Sequence, residues 1–193
     1  MTKHSPELIR FLSTMFAREL DEATICACFD GVADALLSEV AGAHNLLDEM
    51  KTWSDPRKTK RDLAISYASL FLTGGKDSAP LYASAWQGDG ALMSTPHSKM
   101  QSLLQQSGQE VALNFSEPAD HLAIILEYLA MCLEQKPDTM DPAVFASEFI
   151  LPWYKVFSAK VQSHRWVAPF YSYLVTLTEA FVVECAAAQT AKT

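Results

Sequence analysis

The chain has 193 residues, of which 49% are apolar and 20% charged, and its formal net charge is −8. This length allows one domain or two small subdomains with a sizeable core, and the composition is not typical of disorder. The acidic balance excludes a general nucleic-acid binder, because neutralising phosphates requires clustered Lys and Arg. The N-terminal residues lack an apolar signal segment, and no run of about 18 uncharged apolar residues occurs. We therefore expect a cytoplasmic protein.

The N-terminal part of the chain shows apolar residues at helical spacing. A Ser-Pro-Glu sequence at residues 5–7 is typical of a helix start, since serine caps free amides and proline suits the first turn. The spacing predicts a helix to about residue 16, a second over residues 21–40 and a short third over residues 46–53. An Asp-Pro break then precedes a fourth predicted helix, over residues 57–73.

The rest of the chain divides into one irregular segment and further helices. A Gly-Gly pair at residues 74–75 should end the fourth helix, and the stretch from there to residue 90 lacks clear periodicity. Proline and glycine positions predict later helices that start at about residues 95, 117, 141 and 168. Pro152 should kink or divide the third of these. With no convincing strand, we predict an all-α bundle of seven to nine helices.

Motifs for catalysis and for metal binding are absent. The sequence contains no GxSxG, HExxH, GxGxxG or Walker motif. The GGKDS sequence at residues 74–78 superficially resembles a phosphate loop, but it lacks the first glycine and follows a predicted helix. The four cysteines fall in apolar helical stretches without zinc-site spacing, so we expect buried reduced thiols at Cys26, Cys28, Cys132 and Cys185. The histidines show no ligand spacing, so we predict no catalytic, cofactor or metal residues.

One segment of unusual character covers the end of the fourth helix and the loop that follows it. Leu70 and Phe71 occur at helical spacing, which favours the core. Tyr82 and Trp86 are four residues apart on a loop, with small residues between them. Their amphipathic rings can line a groove and still form hydrogen bonds at its mouth. This loop is therefore a candidate binding surface.

The second unusual segment is Glu-Pro-Ala-Asp-His at residues 117–121. It has the features of a helix start, in which Glu117 or Asp120 would accept free amides and proline occupies the first turn. His121 is not explained by that interpretation. On the first turn of a helix, the macrodipole would lower the pKa of its imidazole.

The sequences YASLFL, APLYASAW and EPADHLAIILEYLA resemble signature segments of the TorD family of redox-enzyme maturation chaperones, and FLSTMFARELDE resembles the family's first helix. The resemblance implies an all-helical cytoplasmic chaperone without catalytic activity. It implies binding of the twin-arginine signal peptide and the apoprotein of a molybdoenzyme, of the trimethylamine N-oxide reductase type, before molybdopterin-cofactor insertion and export. By position, it implies peptide-binding or site-shaping roles for Tyr67, Leu70, Phe71, Pro80, Tyr82, Trp86, Glu117, Asp120 and His121.

The same resemblance extends to assembly and ligands. It implies a monomer or a domain-exchanged dimer, with possible halves at residues 1–115 and 116–193 joined by hinge loops. The molybdopterin cofactor would be bound only through the client. Weak guanine-nucleotide binding is also associated with such proteins, although no nucleotide motif occurs in this sequence.

A twin-arginine peptide presents two guanidinium groups before an apolar stretch, so its receptor requires carboxylates beside an aromatic groove. We expect Glu117 and Asp120 to pair with the arginines and Leu70 to form the floor of the groove. Tyr82 and Trp86 would stack on the guanidinium groups or on apolar side chains.

One position departs from the family pattern. Where that pattern has an acidic residue before the aromatic of the fourth helix, this chain has Ser66. Charge recognition is then expected at the Glu117 turn or on the acidic N-terminal helices. Two other functions stay open: a small helical enzyme that uses His121 with Asp120 or Glu117 as an acid–base pair, and a plain helical adaptor.

Overall fold

The structure, a computed structural model, describes residues 5–88, 90–111, 115–164 and 168–188. The α-helices are α1 (Pro6–Ala17), α2 (Glu22–Phe29), α3 (Val32–Leu37), α4 (His44–Lys51), α5 (Pro56–Tyr67), α6 (Thr95–Gln106), α7 (Leu122–Leu133), α8 (Pro142–Phe145), α9 (Leu151–Gln162) and α10 (Pro169–Ala187). A π-helical segment, Ala68–Leu72, extends α5, and a second, Ala146–Ile150, joins α8 and α9 into one rod. The described residues thus form nine helices, which confirms the predicted all-α bundle.

Side-chain caps fix the starts of α1, α2, α5, α7 and α8. Of these, only α7 begins far from its predicted position, at Leu122 instead of about residue 117. The carboxylate of Asp21 accepts the Thr24 N–H at 2.8 Å, and that of Asp141 accepts the Ala143 N–H at 2.9 Å. Both bonds satisfy amides that the first helical turn leaves free. After α6, Gly108 adopts a left-handed φ of 65°, as expected of a C-terminal glycine.

The prediction of one helix over residues 21–40 is wrong. Gly31 has a φ of 93°, and this left-handed residue separates α2 from α3. Apolar side chains keep helical spacing across the break, because both helices face the same core. Without a Cβ, glycine adopts the turn at no steric cost.

Two of the predicted helices are π-helical over part of their length. Pro152 lacks an N–H, so the helix around it cannot keep all its i→i−4 bonds, and the backbone is π-helical immediately before it. The indole N–H of Trp153 donates to the Phe149 carbonyl at 2.9 Å. The helix is therefore not divided at Pro152, but its regular α-helical bonding is interrupted just before it. The fourth helix was predicted as regular to Thr73, whereas it becomes π-helical from Ala68.

The core is one cluster of buried apolar residues that draws on both predicted halves of the chain. The pair α1 and α7 makes the most extensive packing, and α10 packs against α9, α4 and α5. All four cysteines are free, and Cys26 is only partly buried, contrary to the prediction. Burial raises the pKa of the Cys132 and Cys185 thiols to about 12.

By length and composition α10 could cross a membrane, with a mean hydropathy of 1.2 over its apolar window. Half of that window is buried inside the fold. Phe170, Tyr171 and Leu174 of this helix have no exposed surface. Its apolar character is therefore explained by its place in the core.

Candidate functional site

The two segments that stand out in the sequence meet in space. Tyr82 and His121 form an isolated antiparallel bridge, the only β-type pairing in the described part of the chain. The N–H groups of Ala83 and Leu122 donate across this pairing, at 3.1 and 2.7 Å. The loop after α5 is thus fastened by its backbone to the turn that precedes α7.

The buried side chain of Asp120 adds a hydrogen bond between the turn and the loop. Its exposed fraction is 0%, and its Oδ2 accepts the N–H of Ser84 at 2.8 Å. Nδ1 of His97 lies 3.6 Å from Oδ1, but that nitrogen already accepts the Ala119 N–H at 3.0 Å. An unprotonated nitrogen cannot donate to the carboxylate, so no hydrogen bond joins the two side chains. Asp120 is placed to shape the site and is not open to solvent.

His121 caps α7. Its Nδ1 accepts the N–H of Ala123 at 3.2 Å, and only 3% of the residue is exposed. The expectation that Glu117 or Asp120 accepts these free amides is wrong, because both carboxylates bind the loop instead. Burial lowers the pKa of His121 to about 4, against smaller opposing effects of the two carboxylates. The direction of this shift is as predicted, but burial is its main cause.

Tyr82 and Glu117 form the outward side of the pairing, and both are partly exposed. The Tyr82 hydroxyl donates to Oε2 of Glu117 at 2.7 Å. Its ring packs edge-on to the His121 ring, with centroids 5.2 Å apart. Burial, and then the hydrogen bond and charge of Glu117, raise the pKa of Tyr82. A carboxylate and an aromatic ring therefore lie side by side at the surface.

Pro80 and Trp86 flank Tyr82 in the loop and are also partly exposed. The Trp86 indole N–H donates to the carbonyl of Pro80 at 2.8 Å, which closes the loop on itself. Its ring packs edge-on to Phe157 of α9, with centroids 5.9 Å apart. Tyr82 and Trp86 thus share one loop but have different neighbours.

The loop is connected to the core through three buried residues at the end of α5 and in its π-helical extension: Tyr67, Leu70 and Phe71. The Tyr67 hydroxyl donates to the Phe16 carbonyl at 3.0 Å, and its ring lies 5.0 Å from that of Phe71. Leu70 accepts the N–H of Ala79 at 2.6 Å. The assignment of Leu70 and Phe71 to the core is confirmed. Leu70 has no exposed surface, so in this structure it does not form the floor of an open groove.

Three residues at the site had not been identified from the sequence. Phe115 packs edge-on to His121, with centroids 5.3 Å apart, and the Arg18 guanidinium lies 5.6 Å from the Phe115 centroid. His97 contacts the turn through its imidazole. Phe115 could have been suspected because it lies two residues before Glu117. No local pattern indicates Arg18 or His97, which the fold brings from other helices.

Ser66 has a structural role where the family pattern has an acid. The residue is buried, its hydroxyl donates to the Asp62 carbonyl at 3.0 Å, and its oxygen accepts the Ala168 N–H at 2.9 Å. It thereby joins α5 to the start of α10. A carboxylate at this position is not needed for that contact.

The GGKDS segment at residues 74–78 contacts α9 and the residues just after its end. Lys160 donates to the Lys76 carbonyl, and the His164 ring donates to the Asp77 carbonyl. The segment therefore makes these contacts through its backbone carbonyl groups, whereas a phosphate loop binds its anion through backbone amides. No cluster of three or more metal-binding side chains occurs among the residues that the structure describes.

Comparison with known proteins identifies relatives along nearly the whole chain. The family model described as nitrate reductase delta subunit matches residues 33–159. The chaperone protein TorD of Shewanella loihica is 32% identical over 92% of this chain and 90% of its own length. Chaperone protein TorD of Vibrio vulnificus is 30% identical over 91% of this chain and 89% of its own.

Among solved structures, a protein of Archaeoglobus fulgidus described as a redox enzyme maturation protein has a similar fold. Its TM-score is 0.63 at 21% identity, over 95% of both chains. The curated relatives are named as chaperones, which confirms the prediction of a protein that is not an enzyme. The chain belongs to the TorD family of redox-enzyme maturation chaperones.

Proposed function

We propose that this chain binds the twin-arginine leader of a molybdoenzyme in the cytoplasm, and that the client is of the trimethylamine N-oxide reductase type. The binding surface, which we call the loop–turn surface, consists of the partly exposed residues Pro80, Tyr82, Trp86 and Glu117. The chain would also hold the apoprotein until its molybdopterin cofactor is inserted. That cofactor belongs to the client.

One observation carries the proposal: the Tyr82–His121 bridge sets a carboxylate and an aromatic ring side by side at the surface. Only Oε2 of Glu117 accepts the Tyr82 hydroxyl, which leaves Oε1 for a guanidinium N–H. The adjacent ring offers a face on which a guanidinium can stack. Asp120 is enclosed in this structure, so we assign the surface charge to Glu117 and the positioning of the loop to Asp120.

The family resemblance also raises the questions of domain exchange and of guanine-nucleotide binding. Domain exchange would replace the extensive α1–α7 packing within one chain by the same packing between two chains. Sedimentation of the purified chain distinguishes monomer from dimer. Guanine-nucleotide binding is not part of the proposal, because the GGKDS segment follows a helix and its Lys76 and Asp77 carbonyl groups accept hydrogen bonds from Lys160 and His164.

Calorimetric titration with a synthetic leader peptide tests the proposal. We expect saturable binding that falls at least about tenfold when both arginines become alanine, because each charge-assisted bond contributes ~1.5–3 kcal/mol. Glu117→Gln retains the shape and an acceptor for Tyr82 but removes the charge, and it should weaken binding about tenfold. Glu39→Gln is the matched control, since it removes an exposed carboxylate outside the loop–turn surface.

The adaptor alternative makes a different prediction. A plain helical adaptor would bind neither the leader nor the apoenzyme through this surface. Equal binding by wild type and Glu117→Gln would assign recognition to another surface. No binding of either ligand by the wild type would exclude the proposed function.

A further inference from the structure

The three acidic residues that follow α1 have different surroundings. The carboxylate of Asp21 caps α2 by accepting the Thr24 N–H at 2.8 Å. Oε1 of Glu22 lies 3.9 Å from Nε of Arg57. Glu19 is exposed, and its carboxylate forms no ion pair with any residue that the structure describes. Of the three, Glu19 is therefore the acidic side chain that is free to bind a ligand.

The backbone that carries Glu19 is held by its neighbours in the chain. Phe16 has no exposed surface and Leu20 only 3%, so the segment between them is anchored in the core at both ends. Within this segment the chain leaves α1 and becomes extended at Arg18. The Tyr67 hydroxyl adds a bond from α5, since it donates to the Phe16 carbonyl at 3.0 Å. The exposed side chain of Glu19 therefore extends from a supported backbone.

This segment lies next to the Glu117 turn. The Arg18 guanidinium is 5.6 Å from the centroid of Phe115, which precedes Glu117 by two residues. Burial is the main cause that raises the pKa of Tyr67, and the charges of Glu117 and, more weakly, Glu19 raise it further. Because the effect of a surface charge falls with distance, both carboxylates lie on the same part of the surface, near the Tyr67 hydroxyl.

The local charge at this place is negative despite the presence of Arg18. Arg18 lowers the pKa of Tyr67, but its effect is smaller than that of either carboxylate. Its guanidinium lies over the Phe115 ring, where it makes a cation–π contact. Two carboxylates whose combined effect exceeds that of the nearby cation favour a cationic ligand, because such a ligand offsets their mutual repulsion.

An arginine pair requires two separate carboxylates. Consecutive side chains of an extended peptide point to opposite sides. One carboxylate therefore receives one guanidinium of the pair, and the second guanidinium needs an acceptor at another place. Asp120 is not that acceptor in this structure, because it is fully enclosed and bonded to the Ser84 amide.

We propose that Glu19 binds one guanidinium of the leader's arginine pair while Glu117 binds the other, so that Glu19 determines specificity for two adjacent arginines. This inference rests on the proposed function and adds a ligand-binding residue to it. A leader with only one of the two arginines leaves one carboxylate without a partner. Affinity should then depend on the pair, because each guanidinium has its own acceptor.

A cycle of protein and peptide substitutions tests the assignment. The wild type, Glu19→Gln and Glu117→Gln are each titrated by calorimetry with the intact leader and with two leaders that have one arginine replaced by alanine. Glu22→Gln is the matched control, because it removes an exposed carboxylate from the same segment, three residues away. Both substitutions in this segment reduce long-range attraction by one charge, so a difference between them reports a direct contact. Circular dichroism and thermal melting establish that the variants are folded.

We expect Glu19→Gln to bind the intact leader about tenfold more weakly than the wild type, and Glu22→Gln to bind it within about twofold of the wild type. With one of the single-alanine leaders, the effect of Glu19→Gln should disappear while that of Glu117→Gln persists. With the other leader, the two effects should be exchanged.

Three results would contradict this expectation. Equal binding by Glu19→Gln and Glu22→Gln would overturn the role of Glu19 and leave the proposed function intact. An equal loss in Glu19→Gln with all three leaders would also overturn it, since the effect would not depend on an arginine. No binding of the intact leader by the wild type would end the proposed function as well.

Carbodiimide crosslinking on the unaltered chain gives an independent measurement, because the reagent joins a carboxylate to a primary amine in contact with it. Two leaders are used, each with lysine in place of one arginine. One leader should couple to Glu19 and the other to Glu117, as identified by mass spectrometry of the joined peptides. Coupling of both leaders to Glu117 alone, or to Glu22 in place of Glu19, would overturn the proposal.

Discussion

Asp120 should be the side chain whose loss most weakens the attachment of the loop to the turn. It is fully enclosed, and its Oδ2 accepts the Ser84 N–H at 2.8 Å. Asp120→Ala leaves that amide buried without an acceptor, which costs about 1–3 kcal/mol, and it leaves a small void. We expect the free energy of unfolding to fall by about 2–3 kcal/mol. Asp120→Asn keeps an acceptor oxygen and should lose only about 1 kcal/mol.

Urea denaturation followed by circular dichroism measures both changes. Asp48→Ala is the control, because Asp48 is exposed and its carboxylate forms a surface ion pair with Lys51 at 3.4 Å, so its loss should change the free energy of unfolding by no more than about 0.5 kcal/mol. If Asp120→Ala unfolds at the wild-type urea concentration, the Ser84 bond does not stabilise the fold. The structural role assigned to Asp120 would then be refuted.

Three further predictions concern titration and ion pairing. Burial and Glu117 raise the pKa of Tyr82, so its phenolate absorbance should appear above the usual pH of about 10. Subtracting the spectrum of Tyr82→Phe isolates this absorbance, and in Glu117→Gln it should appear at a lower pH than in the wild type. The same titration in Glu117→Gln and in the wild type would contradict the Tyr82–Glu117 hydrogen bond. Burial lowers the pKa of His121 to about 4, so the unfolded chain binds more protons between pH 4 and 6.5, and stability should fall by roughly 3 kcal/mol as pH falls through that range. His121→Asn keeps a capping oxygen and should lack that part of the slope in urea titrations at several pH values; an unchanged slope would show that His121 is not its source. Arg10→Ala removes the ion pairs from α1, including the 2.9 Å contact with Glu127, and should lower stability by ~1 kcal/mol in low salt and by less in 1 M salt. A loss independent of salt would mean that packing, not charge, is responsible.

The helices were largely predictable because their boundaries depend on local chemistry. Capping by Asp21 and Asp141, the left-handed glycine at position 108 and the change at Pro152 all follow from a residue and its near neighbours. The break at Gly31 is not predicted, because the apolar residues on both sides of it keep the spacing of one helix. That spacing carries no information about the positive φ of Gly31.

The site was predictable in its members but not in its arrangement. The sequence identifies Tyr82 and Glu117, yet it does not indicate that they bond directly, since 35 residues separate them. A charged side chain such as Asp120 is normally expected at the surface. Its carboxylate bonds to the Ser84 amide, 36 residues away in the chain, and this contact exists only once the loop has folded.

Binding of a twin-arginine leader at the loop–turn surface is tested most directly by the indole N–H resonances of the ¹⁵N-labelled chain. Trp86 is partly exposed on the loop, whereas Trp153 is fully buried and bonded to the Phe149 carbonyl, so it serves as an internal reference. Trp86→Phe assigns the loop signal. We predict that the Trp86 resonance shifts saturably with the leader, that the same shift requires at least about tenfold more of a peptide whose arginine pair is replaced by alanine, and that Trp153 does not move. A leader that binds by calorimetry while the Trp86 resonance stays fixed would contradict the central claim.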